Sequence, residues 1–126
     1  MAFADLNGMV ILVVDDDNDS LDVMTTVLRS CGASVLMART AAAALGYLDA
    51  APRIDVVVSD IAMPDMDGLM LAARIRRHPR RQTVPVIAMT AFYEQYAGAP
   101  HFDALLRKPI QIEELCLTVQ SLGRRG

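Results

Sequence analysis

The sequence has little of what marks several large classes of protein. Its 126 residues include only seven glycines, six prolines and two cysteines, and 21% of the residues are charged against 53% hydrophobic. This composition excludes a disordered or collagen-like chain. The length predicts one domain over residues 1–126, with its core at about 8–122. Cys31 and Cys116 lack CxxC spacing, so we expect reduced thiols with neither a disulfide nor a metal site.

Signals for membranes and for nucleic acids are also missing. No apolar run approaches the roughly 18 residues that a membrane span needs, and the start MAFADLNG lacks the regions of a signal peptide. We therefore expect a cytoplasmic protein without a membrane partner. The net charge of −3 offers no concentrated positive surface for a phosphate backbone, so no direct nucleic-acid partner is expected. Among twelve basic residues, Lys108 is the only lysine.

Apolar segments and amphipathic segments alternate along the chain. The first segment, MVILVV, is rich in β-branched residues and ends in three aspartates, which is typical of a strand buried on both faces. The strands are predicted at Met9–Val14, Ser34–Ala38, Ile54–Ser59, Val84–Met89 and Ala104–Arg107. The helices are predicted from Asn18 or Asp19 to Gly32, after the cap Thr40, over Gly68–Arg77, and from Ile112 to Leu122.

This alternation predicts an α/β fold of (βα)5 type, a doubly wound parallel sheet with helices on both faces. The fourth connection, FYEQYAGAPHFD, is short and has room for only about two turns of helix. In such sheets the ligand site lies outside the carboxyl ends of the strands. Those ends carry Asp15-Asp16-Asp17, Asp60, Thr90 and Lys108.

The strand-end residues form a set suited to phosphoryl transfer. Clustered carboxylates repel one another by roughly 4 kcal/mol per pair at an effective dielectric near 20, which a divalent cation would relieve. Oxygen ligands with open positions favour Mg²⁺, and zinc is not expected because the histidines and cysteines fall elsewhere. Asp60, alone at the end of a central strand, is the best candidate for a nucleophile that forms an aspartyl phosphate. Asp17 is interpreted as a solvated neighbour.

Four segments in order, VILVVDDD, VVVSDIAMPDMDG, VIAMTA and LLRKPI, resemble the response-regulator receiver domain of two-component signalling across essentially the whole chain. The resemblance implies a flavodoxin-like three-layer sandwich with strand order 2-1-3-4-5. It also implies that Asp60 accepts a phosphoryl group from a phosphohistidine on a sensor histidine kinase or histidine phosphotransfer protein. Such a domain is a switch that catalyses only its own phosphorylation and dephosphorylation.

The same resemblance implies a magnesium site and a phosphoryl contact set. Asp16, Asp60 and the backbone carbonyl of Ala62 would ligate Mg²⁺, with Asp15 acting through water. Thr90 and Lys108 would contact the phosphoryl oxygens, and the bond from Lys108 to Pro109 would be cis, which X-Pro bonds adopt readily.

Two departures from the family pattern affect the expected switch. The position three residues before the lysine, usually Tyr or Phe, is Leu105. Thr90 and Lys108 are also closer in sequence than usual by roughly four residues, about one helical turn. We therefore expect the conformational response to phosphorylation around Thr90 and Leu105 to be altered. We also expect a shortened fourth helix region, while chemistry at Asp60 is retained.

Two other functions are compatible with parts of the sequence. A haloacid-dehalogenase-type Mg²⁺ phosphohydrolase would use Asp15 and Asp17 as a DxD pair, but the late acidic pair that it needs, Glu113-Glu114, falls inside a helix. A receiver-like interaction module that needs no phosphate is the other alternative. As a receiver, the chain is expected to act on a downstream protein target or on covalently linked kinase or effector domains, as a monomer or weak dimer. Its partner surface would combine helix 1, the helix 4 region and helix 5.

The run RIRRHPRRQ at 74–82 is interpreted as a solvated helix end, since cations there favour the helix dipole. His78 within it is predicted to be exposed, His101 is placed in the loop before the fifth strand, and neither is expected to be catalytic. Met63 and Met66 are expected to pack the loop after Asp60 or to face a partner.

Overall fold

A computed structural model describes residues 4–123. Strand and helix alternate five times, and the strands form one parallel sheet in the order β2-β1-β3-β4-β5. The elements are β1 Val10–Val14, α1 Asn18–Ser30, β2 Ser34–Ala38, α2 Ala41–Ala50, β3 Val56–Asp60, α3 Gly68–Arg77, β4 Val86–Thr90, α4 Tyr93–Tyr96, β5 Ala104–Arg107 and α5 Ile112–Gly123. The predicted fold class and strand order are confirmed. The first three residues of the MAFADLNG start and the end of the GRRG tail, residues 124–126, lie outside the described residues.

The core has two layers, one on each face of the sheet. In β1, Ile11 and Val13 belong to the apolar cluster that includes α1 and α5, whereas Leu12 and Val14 belong to the cluster formed with α2 and α3. Successive side chains of a strand point to opposite faces. The apolar run of β1 is therefore continuous because helices cover both faces of the sheet.

The strand ladders begin later than the apolar runs that predicted them. β3 starts at Val56 and not at Ile54, and β4 starts at Val86 and not at Val84. Pro85 has no N–H for a ladder, and the Val86 N–H donates to the Asp103 carboxylate at 2.8 Å. At the other end, β3 and β4 extend to include Asp60 and Thr90. Asp60 and Thr90, two of the predicted site residues, are thus the last residues of their strands.

The N-termini of α1 and α2 differ in whether a side chain caps them. Asp17 occupies the N-cap position of α1, one residue before Asn18 and two before Asp19, and its side chain makes no capping hydrogen bond. Thr40 caps α2 as predicted, since its hydroxyl accepts from the Ala43 N–H at 3.0 Å.

The arginine run at 74–82, which begins in the last turn of α3, is not a solvated helix end throughout, so that prediction was wrong for two of its members. Arg81 is only 5% exposed, and its guanidinium donates to the carbonyls of Leu48, at 3.0 Å, and Ala51 at the end of α2. Arg76 donates to the Val84 carbonyl at 2.7 Å and also binds a carboxylate near β5. These side chains tie α2 and the loop before β4 to α3.

The two histidines lie in different loops, and one of them, His78, is held by hydrogen bonds. The side chain of His78 is 14% exposed, against the prediction, and its Nε2 lies 3.0 Å from the Asp49 carboxylate at the end of α2. Its Nδ1 accepts from the Arg80 N–H at 3.1 Å. His101 lies in the loop before β5, as predicted, with a positive φ of 76°.

The fourth helix has only four residues, which confirms the predicted shortening. Arg107 of β5 covers it: the guanidinium lies 4.0 Å from the centroid of the Tyr93 ring and 3.0 Å from the Glu94 carboxylate. Leu105, on the same strand, is half-buried. No described helix has the length and apolar character that a membrane span requires.

Cys31 and Cys116 are both buried free thiols, as predicted. Burial, together with the neighbouring Cys31, raises the pKa of the Cys116 thiol to about 12. This thiol is therefore protonated and poorly reactive at neutral pH.

Candidate functional site

The sheet register assembles the strand ends at one edge. Val14 pairs with Ser59 across β1 and β3, so the next residues, Asp15 and Asp60, come together. The N–H of Lys108 donates to the Thr90 carbonyl at 2.9 Å, which joins the ends of β4 and β5. All the strand ends that the sequence singled out thus lie along the carboxyl edge of the sheet.

Three carboxylates form the centre of this edge. Asp15, Asp16 and Asp60 each offer an oxygen, and these oxygens lie within 4.8 Å of one another. Asp15 and Asp60 are buried and Asp16 is exposed. One oxygen of Asp15 accepts from the Asp17 N–H at 2.9 Å, while the other, Oδ2, is buried without a hydrogen-bond partner.

Lys108 supplies the positive charge at the centre. Its Nζ lies 3.0 Å from Asp60 Oδ2 and 3.7 Å from Asp15 Oδ2. Burial alone would lower the pKa of Lys108, but the hydrogen bond to Asp60 and the two carboxylate charges outweigh it and raise the pKa above its usual value. The side chain is therefore an ammonium ion at neutral pH.

The charges of this cluster do not balance. Burial is the main reason why the pKa of Asp15 is raised, and the charges of Asp60 and Asp16 add to it, although the Asp17 N–H and Lys108 act in the opposite direction. Three carboxylates against one ammonium leave a net negative site, and the buried Oδ2 of Asp15 has an ion pair with Lys108 at 3.7 Å but no hydrogen bond. Oxygen donors in this number, open to solvent on the Asp16 side, fit a hard divalent cation such as Mg²⁺.

Asp17 does not belong to the cluster. Its side chain is exposed and accepts from the Ser20 hydroxyl at 2.7 Å, at the start of α1. Its interpretation as a solvated neighbour is confirmed. Asp17, the second member of the Asp15-x-Asp17 pair that a haloacid-dehalogenase-type site requires, is not among the three residues whose carboxylate oxygens lie within 4.8 Å of one another.

Sequence comparison identifies the family to which this site belongs. A family model described as the response regulator receiver domain matches residues 11–120. The chain belongs to this family. The predicted resemblance and the flavodoxin-like fold are thereby confirmed.

Relatives and solved structures agree with the family assignment. A 14.6 kDa protein from the sodA1 3′ region of Leptolyngbya boryana is 42% identical over 120 residues, covering 91% of this chain and 90% of that protein. The two-component response regulator ARR10 of Arabidopsis thaliana is 38% identical over 125 residues, 94% of this chain but 22% of its own length. The receiver domain of the Francisella response regulator 1452 superposes with a TM-score of 0.84 at 29% identity, covering 94% of this chain and 98% of that one. This chain therefore spans only about a fifth of the plant regulator.

In this receiver, Thr90 lies beside the cluster and is 4% exposed. Its hydroxyl oxygen accepts from the Phe92 N–H at 2.9 Å, at the start of the short fourth connection. Phe92 itself is 64% exposed. The Lys108–Pro109 bond is cis, as the resemblance implied.

The loop after Asp60 carries two residues whose roles the sequence did not reveal. A Cβ on Gly68 would lie 2.7 Å from the Asp60 carbonyl oxygen, so only glycine fits where α3 starts against the end of β3. Asp65 accepts from the N–H groups of Ala41 and Ala42 at the start of α2. Ala62, the implied carbonyl ligand, is exposed on this loop, and Met66 packs against the α2–α3 cluster as expected. In the sequence, the only signals for these two roles are an aspartate and a glycine among residues typical of turns.

A groove with a volume of about 270 Å³ starts at the acidic cluster. It runs between α1 and the segment after β5. It reaches Asp15 and Lys108, and most of its exposed wall is apolar. Val23, on its α1 side, is 52% exposed. The apolar members of the lining are Val23, Met24, Pro109, Ile110 and Ile112.

Proposed function

We propose that this receiver is a Mg²⁺-dependent phosphoacceptor switch, in which Asp60 takes a phosphoryl group from a phosphohistidine on a sensor histidine kinase or histidine phosphotransfer protein. The main support is the position of the Asp60 carboxylate, 3.0 Å from the Lys108 ammonium and within 4.8 Å of an Asp15 carboxylate that has an oxygen without a hydrogen bond. The Asp60 carboxylate, as the nucleophile, therefore lies beside more carboxylate groups than the single ammonium can neutralise.

The proposed transfer is a single displacement at phosphorus. A carboxylate oxygen of Asp60 forms the new P–O bond while the P–N bond to the donor imidazole breaks and the nitrogen keeps the electron pair. The Lys108 ammonium, a compact point charge, pairs with a phosphoryl oxygen of the product. The Thr90 hydroxyl, now accepting from Phe92 N–H, contacts another phosphoryl oxygen.

The metal ligands in this proposal are Asp16, Asp60 and the carbonyl of Ala62, with Asp15 acting through water. When bound, Mg²⁺ neutralises the charge shared between the carboxylates and the transferred group. The buried, unpartnered Oδ2 of Asp15 supports this assignment, because a water ligand of the metal would give it the donor that it lacks.

The groove between α1 and the segment after β5 is the proposed docking site of the phosphodonor. This groove reaches Lys108, has a mostly apolar wall and opens onto Asp15. An apolar contact beside the acceptor would orient the donor histidine without adding charge next to Asp60. The exposed side chain of Val23 is available for such a contact.

The output of the switch is proposed to be a change in affinity for a downstream protein or for covalently linked domains, with no turnover of a metabolite. Phosphorylation would bias two conformations of the surface formed by α1, α4 and α5. This chain is 29% identical over 125 residues to the hybrid signal transduction histidine kinase L of Dictyostelium discoideum, and the match covers 7% of that protein's length. That relationship supports linked domains as one form of output. The chain itself is proposed to be cytoplasmic and monomeric or weakly dimeric.

Reaction with acetyl phosphate and Mg²⁺, followed by intact-mass spectrometry, tests the proposal. Wild type should gain one phosphoryl group, and borohydride reduction of the acyl phosphate should place it on Asp60 by peptide mapping. Asp60→Asn should gain none, whereas Asp49→Asn, a substitution at the far end of α2, should behave as wild type. An adduct that persists in Asp60→Asn refutes the proposal.

A further inference from the structure

Asp65 connects the loop after β3 to a helix distant in sequence. Its two carboxylate oxygens accept from the Ala41 N–H at 3.2 Å and the Ala42 N–H at 3.0 Å. These hydrogen bonds hold the pKa of Asp65 below its usual value, so it is a carboxylate at neutral pH. Since α2 has no acidic residue in its first turn, Asp65 provides the negative charge that a helix N-terminus favours.

Hydrogen bonds also hold the segment 61–67 at its base and at the start of α3. The Gly68 N–H donates to the Ile61 carbonyl at 2.7 Å and closes the base of the loop. Asp67 caps α3 by accepting from the Met70 N–H at 2.9 Å. The loop is thus closed between β3 and α3, and Asp65 supplies its hydrogen bonds to α2, beside the apolar packing of Met63 and Met66.

We propose that Asp65 is a positioning residue for the magnesium site: by holding the loop against the N-terminus of α2, it sets where the Ala62 carbonyl lies relative to Asp60. This inference rests on the proposed function, which assigns that carbonyl to Mg²⁺. Ala62 is exposed and follows Asp60 closely in the chain, so its carbonyl is directed by the path of the loop and not by packing of its own side chain. Met63, the next residue, is partly buried against the α2–α3 apolar cluster, and Asp65 is the first described residue after Ala62 that hydrogen-bonds to α2.

The coupling must act in both directions, because a residue that helps the loop to bind a ligand is itself held more firmly when the ligand is bound. Mg²⁺ should therefore slow hydrogen exchange at the Ala41 and Ala42 amides, whose acceptor is Asp65. The Ala43 amide is a control within the same turn, since its acceptor is the Thr40 hydroxyl.

Three variants of the full chain separate positioning from loss of a helix cap. Asp65→Ala removes both acceptors, and Asp65→Asn removes the charge but retains one acceptor oxygen. Thr40→Ala removes a cap from the same end of α2 without touching the loop. Mg²⁺ affinity by calorimetric titration and amide exchange by NMR, with and without Mg²⁺, are measured for each.

We expect Asp65→Ala to weaken Mg²⁺ binding about tenfold, at the lower end of the effect of removing a residue that orients metal ligands. Asp65→Asn should fall between Asp65→Ala and wild type, and Thr40→Ala should bind as wild type. Exchange at Ala41 and Ala42 should respond to Mg²⁺ in wild type and lose that response in Asp65→Ala.

Two results would overturn the inference while leaving the proposed function intact. In the first, Asp65→Ala binds Mg²⁺ no more weakly than Thr40→Ala. In the second, Asp65→Asn and Asp65→Ala weaken binding equally, which would assign the effect to charge alone. A wild-type chain that binds no Mg²⁺ would instead refute the proposed function, and the inference with it.

Discussion

Neutralising one aspartate of the acidic cluster should stabilise the protein without Mg²⁺ and remove its response to the metal. The change is Asp15→Asn. At an effective dielectric near 20, the 3.7 Å contact with Lys108 attracts Asp15 by about 4.5 kcal/mol. Repulsion from Asp60, whose nearest oxygen lies within 4.8 Å, is at least about 3.5 kcal/mol. The exposed Asp16, screened by water, adds about 1 kcal/mol of repulsion.

These Coulomb contributions nearly cancel, so the cost of burying the Asp15 charge remains. Its Oδ2 has no hydrogen-bond partner, and an unsatisfied buried polar group costs about 1–3 kcal/mol. Asn keeps the oxygen that accepts from the Asp17 N–H, and its uncharged NH2 replaces Oδ2 with a donor for the neighbouring Asp60 carboxylate, whose oxygen lies within 4.8 Å. We therefore expect Asp15→Asn to raise the free energy of unfolding without Mg²⁺ by about 1–3 kcal/mol at neutral pH.

The pH dependence has a definite sign. Because the pKa of Asp15 is raised in the folded protein, the folded state binds this proton more tightly than the unfolded state. The resulting stability is complete below the usual pKa of an aspartate and is lost as the pH rises through the raised value. The advantage of Asp15→Asn over wild type should accordingly shrink as the pH is lowered through the acidic range.

Urea unfolding followed by circular dichroism, in EDTA and in saturating Mg²⁺, is the assay. At a Mg²⁺ concentration of 100 times Kd, wild type should gain about 2.7 kcal/mol, while Asp15→Asn should gain little. Asp22→Asn removes an exposed charge from α1 and should change stability by less than about 0.5 kcal/mol. An Asp15→Asn protein that is less stable than wild type in EDTA would show that this carboxylate is favourably paired and that our account of the cluster is wrong.

Two further outcomes follow from single side chains. Lys108→Arg should fold and bind Mg²⁺ but transmit phosphorylation poorly, because the broad guanidinium cannot replace a point contact; beryllofluoride-induced amide shifts in residues 91–107 as large as those of wild type would contradict this. Arg81→Leu should lower the free energy of unfolding by about 1–3 kcal/mol, since two carbonyls at the end of α2 lose their donor. Arg77→Leu, on the exposed side of the same run, should be nearly neutral in the same urea titration.

The sequence predicted the fold and the acidic edge because both depend on short-range patterns. The buried strands are unbroken apolar runs, and Asp15 and Asp60 stand out as the first charges after them. Parallel strands then bring those ends together whatever the details of packing. The bounds of β3 and β4 were less accurate, because the predicted segments begin at Ile54 and Val84, two residues before the ladder pairing that begins at Val56 and Val86.

The errors concern side chains whose partners are far away in the sequence. Arg81 binds the Leu48 carbonyl, 33 residues earlier, and Asp65 binds the Ala41 N–H across 24 residues. A helical pattern or a count of charges contains no information on such partners. Arg81 was therefore interpreted only by its local segment, as a solvated charge, and Asp65 was assigned no role.

The second helix is held at both ends by residues outside it, Asp65 at its start and Arg81 at its end. Its own sequence, AALGYLDA after two alanines, contains a central glycine and no charged residue in its first turn. Transplanting α2 alone into another receiver would leave both of its ends without these partners. The exchangeable unit in a chimeric receiver is therefore the block from Thr40 to Gln82, which carries the helix together with the side chains that cap it.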